Sequence, residues 1–226
     1  MNPIVITPAF DRILPEVENG LRKLEKDIPV WRLFGHSDIA RCRSVAASQS
    51  LHDGYDKLLW IDADVAFDPA DALAMIERDL PYVCGLYVVK SAREFAFDMI
   101  DTSEPFTLGT DALLEINYGP MGFTAIDIEA FDAVGEQLDE CQDDRATFKP
   151  YFLPMVHDGR YLAEDYAFCE RLSQAGIDRL AWLKPRLSHI GNYGYSWEDA
   201  ADEPLKRYQQ FSVELNRNEQ RTDESD

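Results

Sequence analysis

Leu58-Leu59-Trp60-Ile61-Asp62-Ala63-Asp64-Val65 is a short apolar run that ends in two carboxylates, one residue apart. The run has the length of a buried strand. Ionised carboxylates at its mouth repel each other and resist desolvation unless a cation or hydrogen-bond donors meet them, and a divalent metal is the direct compensation. Taken alone, the pair serves equally well as a helix cap or an Asx turn.

On either side of this run, apolar stretches alternate with helical patterns. Upstream, residues 4–7 and 29–34 read as strands and residues 17–26 as a helix. Residues 39–51 read as a helix capped by Ser37 or Asp38, because Ile39, Cys42, Ala46 and Ser50 recur at three- and four-residue steps. Downstream, Pro69 suits a first helical turn, so residues 70–78 form a short helix and residues 82–89 a further strand. This strand–helix alternation predicts an α/β fold with a mostly parallel sheet and helices on both faces. Ligands of such sheets collect at the carboxyl ends of the strands, where Asp62 and Asp64 lie.

The second half is less regular. Residues 106–108 and 113–117 are expected to pair as a hairpin around Gly109-Thr110-Asp111, and a glycine-bearing loop at 118–122 leads into the apolar run 123–128. The acidic residues 135–145 read as a solvated helix end or loop. Residues 163–175 form a helix, with Leu162, Tyr166, Cys169 and Leu172 along one stripe and Gly176 as its stop. Residues 1–196 are expected to make a single domain. Residues 197–226 are expected to be an acidic C-terminal helix or tail, amphipathic around 205–215 and disordered over its last six residues.

A chain of 226 residues can bury a core without covalent staples. Cys42, Cys84, Cys141 and Cys169 have no metal-ligand spacing and read as buried free thiols, which suit a reducing cytoplasm. No stretch of 18 apolar residues exists, and no basic segment followed by an apolar one opens the chain, so neither a membrane span nor a cleaved signal is expected. The net charge of −20, from 42 acidic and 22 basic residues, repels polyanions and disfavours a general nucleic-acid binder.

Three signals carry chemistry: Asp62-Ala63-Asp64, Glu164-Asp165 at a helix start, and Ser188-His189-Ile190-Gly191. Each has a plain structural explanation by itself, since a helix dipole favours acids in the first turn and a lone histidine commonly packs in a core. Their order is more telling when joined to Arg41-Cys42-Arg43-Ser44, Cys84-Gly85-Leu86-Tyr87-Val88-Val89-Lys90, Gly119-Pro120-Met121-Gly122-Phe123 and Ala163-Glu164-Asp165-Tyr166-Ala167-Phe168-Cys169. This set resembles the GT-A class of nucleotide-sugar glycosyltransferases, in particular the small stand-alone members of bacteria and their phages. The likeness runs from Ile4 to about Tyr195.

The resemblance implies a Rossmann-like GT-A fold with a smaller acceptor-side β/α half, and an Asp-x-Asp motif at the end of a central strand. It implies a hexosyltransferase-like enzyme of the cytoplasm of a bacterial or phage-infected cell, using a nucleotide-diphosphate sugar, UDP-linked by preference, with Mn²⁺ or Mg²⁺. Asp64 and His189 would hold the metal, and Asp62 would contact the donor ribose or join the metal set through a bound water. Thr7, Pro8, Arg41, Arg43, Ala63, Lys90 and Gly122 would line the nucleotide side. Asp165 would be the base of an inverting transfer and Glu164 its orienting neighbour, whereas a retaining member would use the same acid to position the acceptor; a helix N-terminus would lower the pKa of that base. The acceptor would be a glycan or a hydroxymethylated DNA base. Tyr193, Tyr195 and Trp197 are candidates for an aromatic platform or lid.

Two other readings compete. A nucleotidyltransferase would share the sheet and the carboxylates, but should carry a glycine-rich loop after the first strand, where this chain has Pro8-Ala9-Phe10-Asp11-Arg12. A sugar-nucleotide or metal-binding module without catalysis would share the whole set.

Overall fold

The computed structural model describes residues 1–90, 94–100, 105–200 and 211–213. In chain order the first half runs β1 (Pro3–Pro8), α1 (Pro15–Leu24), β2 (Val30–Leu33), α2 (Ile39–His52), β3 (Lys57–Ile61), β4 (Val65–Ala66), α3 (Pro69–Ile76) and β5 (Tyr82–Gly85). The second runs β6 (Asp98–Met99), β7 (Phe106–Leu108), β8 (Leu113–Tyr118), β9 (Phe123–Asp127), α4 (Ile128–Gly135), β10 (Cys141–Gln142), β11 (Thr147–Phe148), β12 (Met155–His157) and β13 (Arg160–Leu162). It closes with α5 (Glu164–Gln174), β14 (Leu180–Trp182), β15 (Ser188–Ile190), β16 (Gly194–Tyr195), a 3₁₀ turn at Trp197–Ala200 and β17 (Phe211–Val213).

The central sheet has eight strands in the order β2-β1-β3-β9-β5-β14-β8-β6. Strands β1, β2, β3, β5, β6 and β14 share one direction, and β8 and β9 run against them. The strand period of two splits the core between the two faces. Ile4, Ile6, Leu58 and Trp60 meet Ala46 and Ala47 of α2, Phe131 of α4 and Phe168 of α5 on one side. Val5, Leu59 and Ile61 meet Val17 and Leu21 of α1 and Met75 of α3 on the other. The expected mostly parallel sheet with helices on both faces is therefore present. The structure adds β9, an antiparallel strand between β3 and β5.

Caps follow the sequence. Asp38 accepts from the Arg41 amide at the start of α2, and Asp68 accepts from the Ala70 amide ahead of Pro69 at the start of α3. Gly176 adopts φ +74° after α5, a conformation that glycine takes without steric cost.

Two expectations are corrected. Residues 106–108 and 113–117 do not pair with each other. The Leu183 backbone lies between them, accepting from Gly109 N at 2.7 Å and donating to Ala112 O at 3.1 Å, so β8 joins β14 and β7 joins β17. The strand expected over 82–89 is regular only to Gly85; beyond it Val88 bridges Phe95 and Ala96 N donates to Tyr87 O. Within the C-terminal stretch expected to be helix or tail, the described residues form the 3₁₀ turn and the strand β17. Most of the amphipathic segment and the last six residues lie outside the described residues. No helix among the described residues is long and apolar enough to cross a membrane.

Candidate active site

The turn after β3 is tied by its backbone to three distant segments. Asp62 N donates to Gly122 O at 3.0 Å, Ala63 O accepts from Leu14 N at 2.9 Å, and Asp64 O accepts from Ile190 N at 2.7 Å. Strand β15 pairs antiparallel with β4, setting His189 opposite Val65, and this register delivers the imidazole to the neighbouring Asp64. A cavity of about 640 Å³ opens above the turn. Its walls include Pro8 at the end of β1 and Ala9 to Arg12 beyond it, Arg43 of α2, Asp62 to Asp64, Lys90, Glu164 at the start of α5, and Tyr195.

Arg43 sits beneath this cavity with its side chain 2% exposed. Its NH2 donates to Asp62 Oδ1 at 2.7 Å, its Nε stands 3.7 Å from Glu164 Oε1, and the guanidinium lies over the Trp60 ring. Burial opposes the charge, but Asp62 and Glu164 outweigh it and raise the guanidinium pKa. The Nε and NH1 groups have no hydrogen-bond partner among the described residues, so two buried donors stay available beside the two acids. Arg43 therefore joins the Asp-x-Asp turn to the Glu164-Asp165 pair.

Asp64 faces two cationic or potentially cationic groups. Its Oδ2 pairs with the Lys90 ammonium, and its Oδ1 lies 3.6 Å from His189 Nε2. Burial raises the Asp64 pKa, and the neighbouring His189 and Lys90 more than reverse that, leaving it lowered. His189 Nδ1 lies 3.0 Å from Val88 O, an atom that only accepts, so this nitrogen carries a proton. In neutral imidazole the Nε2 lone pair then points at a carboxylate oxygen, an arrangement that a cation completes and a second-shell carbonyl orients. Asp64 and His189 thus fit a divalent metal as a pair. Among the described residues no three His, Cys, Asp or Glu side chains converge at metal-holding distance, and the Asp62 carboxylate accepts from Arg43.

Asp165 lies in the first turn of α5, and its Oδ1 accepts from the Tyr166 amide at 2.8 Å. The expected lowering of its pKa is reversed. Burial and the adjacent Glu164 charge push the carboxyl up to about 6, against the pull of the Tyr166 amide and Arg43. Tyr87 is the residue that sequence reasoning missed. It is buried, its hydroxyl accepts from Gly122 N at 3.1 Å, and its ring meets the His189 ring edge-on at 5.0 Å. The sequence places it inside the Cys84-to-Lys90 stretch without marking a role, as a phenol in the otherwise apolar run Leu86-Tyr87-Val88-Val89.

Other expected site residues scatter. Pro8, Ala63 and Lys90 line the cavity. Gly122 lies beneath it, where an added Cβ would come within 2.5 Å of the Tyr87 hydroxyl and 3.0 Å of Asp62 Oδ2. Thr7 is fully buried in β1 and does not line the cavity. Arg41 points away to a separate pocket, where it pairs with Asp143. Of the aromatic platform, Tyr195 lines the cavity with Tyr193 packed edge-on against it, whereas Trp197 is buried and donates to Leu86 O at 3.1 Å.

No protein-family profile and no curated protein matches the chain. Among solved structures, A197 from STIV is similar over 92% of this chain and 98% of its own, at 21% identity and a TM-score of 0.58. The S. aureus protein TarS, residues 1–349, aligns over 88% of this chain and 62% of its own, at 12% identity and a TM-score of 0.44. A glycosyltransferase involved in glycosylation of the major capsid of PBCV-1 aligns over 58% and 63%, at 9% identity and a TM-score of 0.36. The A197 likeness, at this identity, is one of fold. With an Asp-x-Asp turn at the carboxyl end of a central strand in a Rossmann-like sheet, the chain has a GT-A-like fold.

Proposed function

We propose that the chain is a metal-dependent glycosyltransferase that moves a sugar from a nucleotide-diphosphate sugar, UDP-linked, to an acceptor hydroxyl with inversion. One observation carries the reading: a single cavity sets the Asp62-to-Asp64 turn, the cations Arg43 and Lys90, and Glu164 of the Glu164-Asp165 pair against one another. Breaking the bond between the anomeric carbon and the diphosphate leaves negative charge on phosphate oxygens, and fixed positive charge at that point lowers the barrier. Lys90 at the cavity wall and the free donors of Arg43 supply it from the chain. A divalent cation held by Asp64 and His189 would add further charge on the same oxygens when bound.

Asp62, fixed by Arg43, faces the ribose. Asp165 takes the proton of the acceptor hydroxyl as that oxygen bonds to the anomeric carbon and the diphosphate departs. A carboxylate with a pKa of about 6 is a stronger base than an ordinary aspartate and is still largely ionised at neutral pH. The charge of −20 favours a glycan over DNA as acceptor. Transfer and donor hydrolysis are measured over a panel of UDP-sugars with Mn²⁺, for the wild type, Asp64→Ala and Asp165→Asn. The expected outcome is metal-dependent turnover in the wild type, lost in both variants. Tight nucleotide-sugar binding with no turnover for any donor would instead leave a binding module.

A further inference from the structure

Asp64 offers one negative charge to two neighbours. Lys90 holds its Oδ2, and His189 Nε2 faces its Oδ1 at 3.6 Å. Both neighbours depend on the same short stretch of backbone. Val88 O receives the His189 Nδ1 proton, the Val88–Phe95 bridge fixes that residue, and Lys90 follows two positions later. The Lys90 stem runs against Gly191, where an added Cβ would sit 3.4 Å from Lys90 Cδ. The ammonium is thus packed into the cavity wall, 32% exposed, directly on the carboxylate that a metal would need.

We propose that Lys90 is the resident cation of Asp64 and makes divalent-cation binding conditional on the donor diphosphate. This rests on the metal-dependent reading above. A dication on Asp64 and His189 would stand beside the ammonium with a single carboxylate between them, and like charges at so short a separation repel. A diphosphate changes the balance, because it brings several negative charges of its own. Lys90 Nζ then exchanges Asp64 Oδ2 for a phosphate oxygen, and the freed carboxylate turns its lone pairs to the metal. A compact charge on a flexible four-carbon stem suits such an exchange better than a planar guanidinium. Metal alone meets an occupied ligand, and diphosphate alone meets an ammonium already neutralised. Each ligand makes room for the other, so by linkage each raises the affinity of the other by the same factor.

The test is Mn²⁺ binding to the full chain, read from the paramagnetic resonance signal of the free ion, with and without UDP, for the wild type, Lys90→Met, Lys90→Arg and Asp64→Ala. UDP is expected to raise wild-type Mn²⁺ affinity about tenfold or more, within the usual range of coupling between two ligands. Lys90→Met is expected to bind Mn²⁺ alone about tenfold more tightly than the wild type and to gain less from UDP, whereas Lys90→Arg keeps the weak binding of Mn²⁺ alone but also gains less from UDP. Asp64→Ala is expected to lose the ion in every condition, and retention there would place the ion elsewhere and overturn the proposal. If Lys90→Met binds Mn²⁺ alone no more tightly than the wild type, while UDP still recruits the ion to the wild type, the role of Lys90 falls and the metal-dependent reading stands. If no variant binds Mn²⁺ with or without UDP, both fall.

Discussion

Asp165 occupies a position where a helix dipole stabilises a carboxylate, yet burial and Glu164 push its pKa up to about 6. A carboxyl whose folded pKa exceeds its unfolded value binds its proton more tightly when folded. It therefore stabilises the fold below the unfolded value and loses that contribution as pH rises through about 6. At pH 8 the ionised, buried group costs on the order of 1–3 kcal/mol. Asp165→Asn is expected to lower turnover about a hundredfold or more while raising the melting temperature at pH 8. In the wild type, kcat/KM should fall on the acid side with an apparent pKa near 6, as the base takes up its proton. Gly122→Ala should press on both the Tyr87 hydroxyl and Asp62 Oδ2, weakening UDP binding in calorimetry and costing about 1–3 kcal/mol in urea unfolding. At this scale the sequence reveals charge but not its surroundings. Asp62, Asp64 and His189 stand out because a polar group interrupts an apolar pattern, whereas Tyr87 hides because a phenol is itself half apolar. The fate of Arg41 and Arg43 follows from the roughly 200° between residues two apart on a helix, which lets only one face the site. Which one does so depends on the turn after β3, a partner distant in sequence.

Strand β3 shows the same division at its two ends. Its last residue delivers the Asp-x-Asp turn, and its first, Lys57, is a fully buried ammonium donating to Arg78 O and Leu80 O at 2.9 Å, with Asp127 Oδ2 at 3.4 Å. That ammonium joins β3 to the segment after α3 and to the end of β9. Lys57→Met is expected to lose about 2–4 kcal/mol in urea unfolding, because two carbonyls and a carboxylate lose their partner together. UDP affinity should hold, since the substitution lies at the opposite end of the strand from the site. Elements with strong local signals were legible, including α2 with its Asp38 cap and α5 with its Gly176 stop. The insertion of β9 was not, because a short, largely apolar stretch of five residues reads the same in either direction and between any pair of neighbours. The 106–117 hairpin failed for a related reason. A turn at Gly109 is compatible with local pairing, but Leu183, more than seventy residues away, supplies the backbone that separates the arms.

Across the whole molecule a charge of −20 works against compactness, since like charges crowd together on folding. Raising sodium chloride from about 0.01 M to about 0.15 M shortens the Debye length from about 30 Å to about 8 Å. The melting temperature is expected to rise over this range, and scanning calorimetry at fixed pH would check it. The three backbone ties of the Asp-x-Asp turn have a consequence in time as well as in space. Leu14, Gly122 and Ile190 must all reach residues 62–64 before the turn is held, and contacts of such wide sequence separation close late because their loop entropy has to be met first. The cavity above the turn is thus expected to be among the last features to mature during refolding. Its ligand then acts as a completion signal, with UDP binding appearing after the far-ultraviolet dichroism of the helices has already returned.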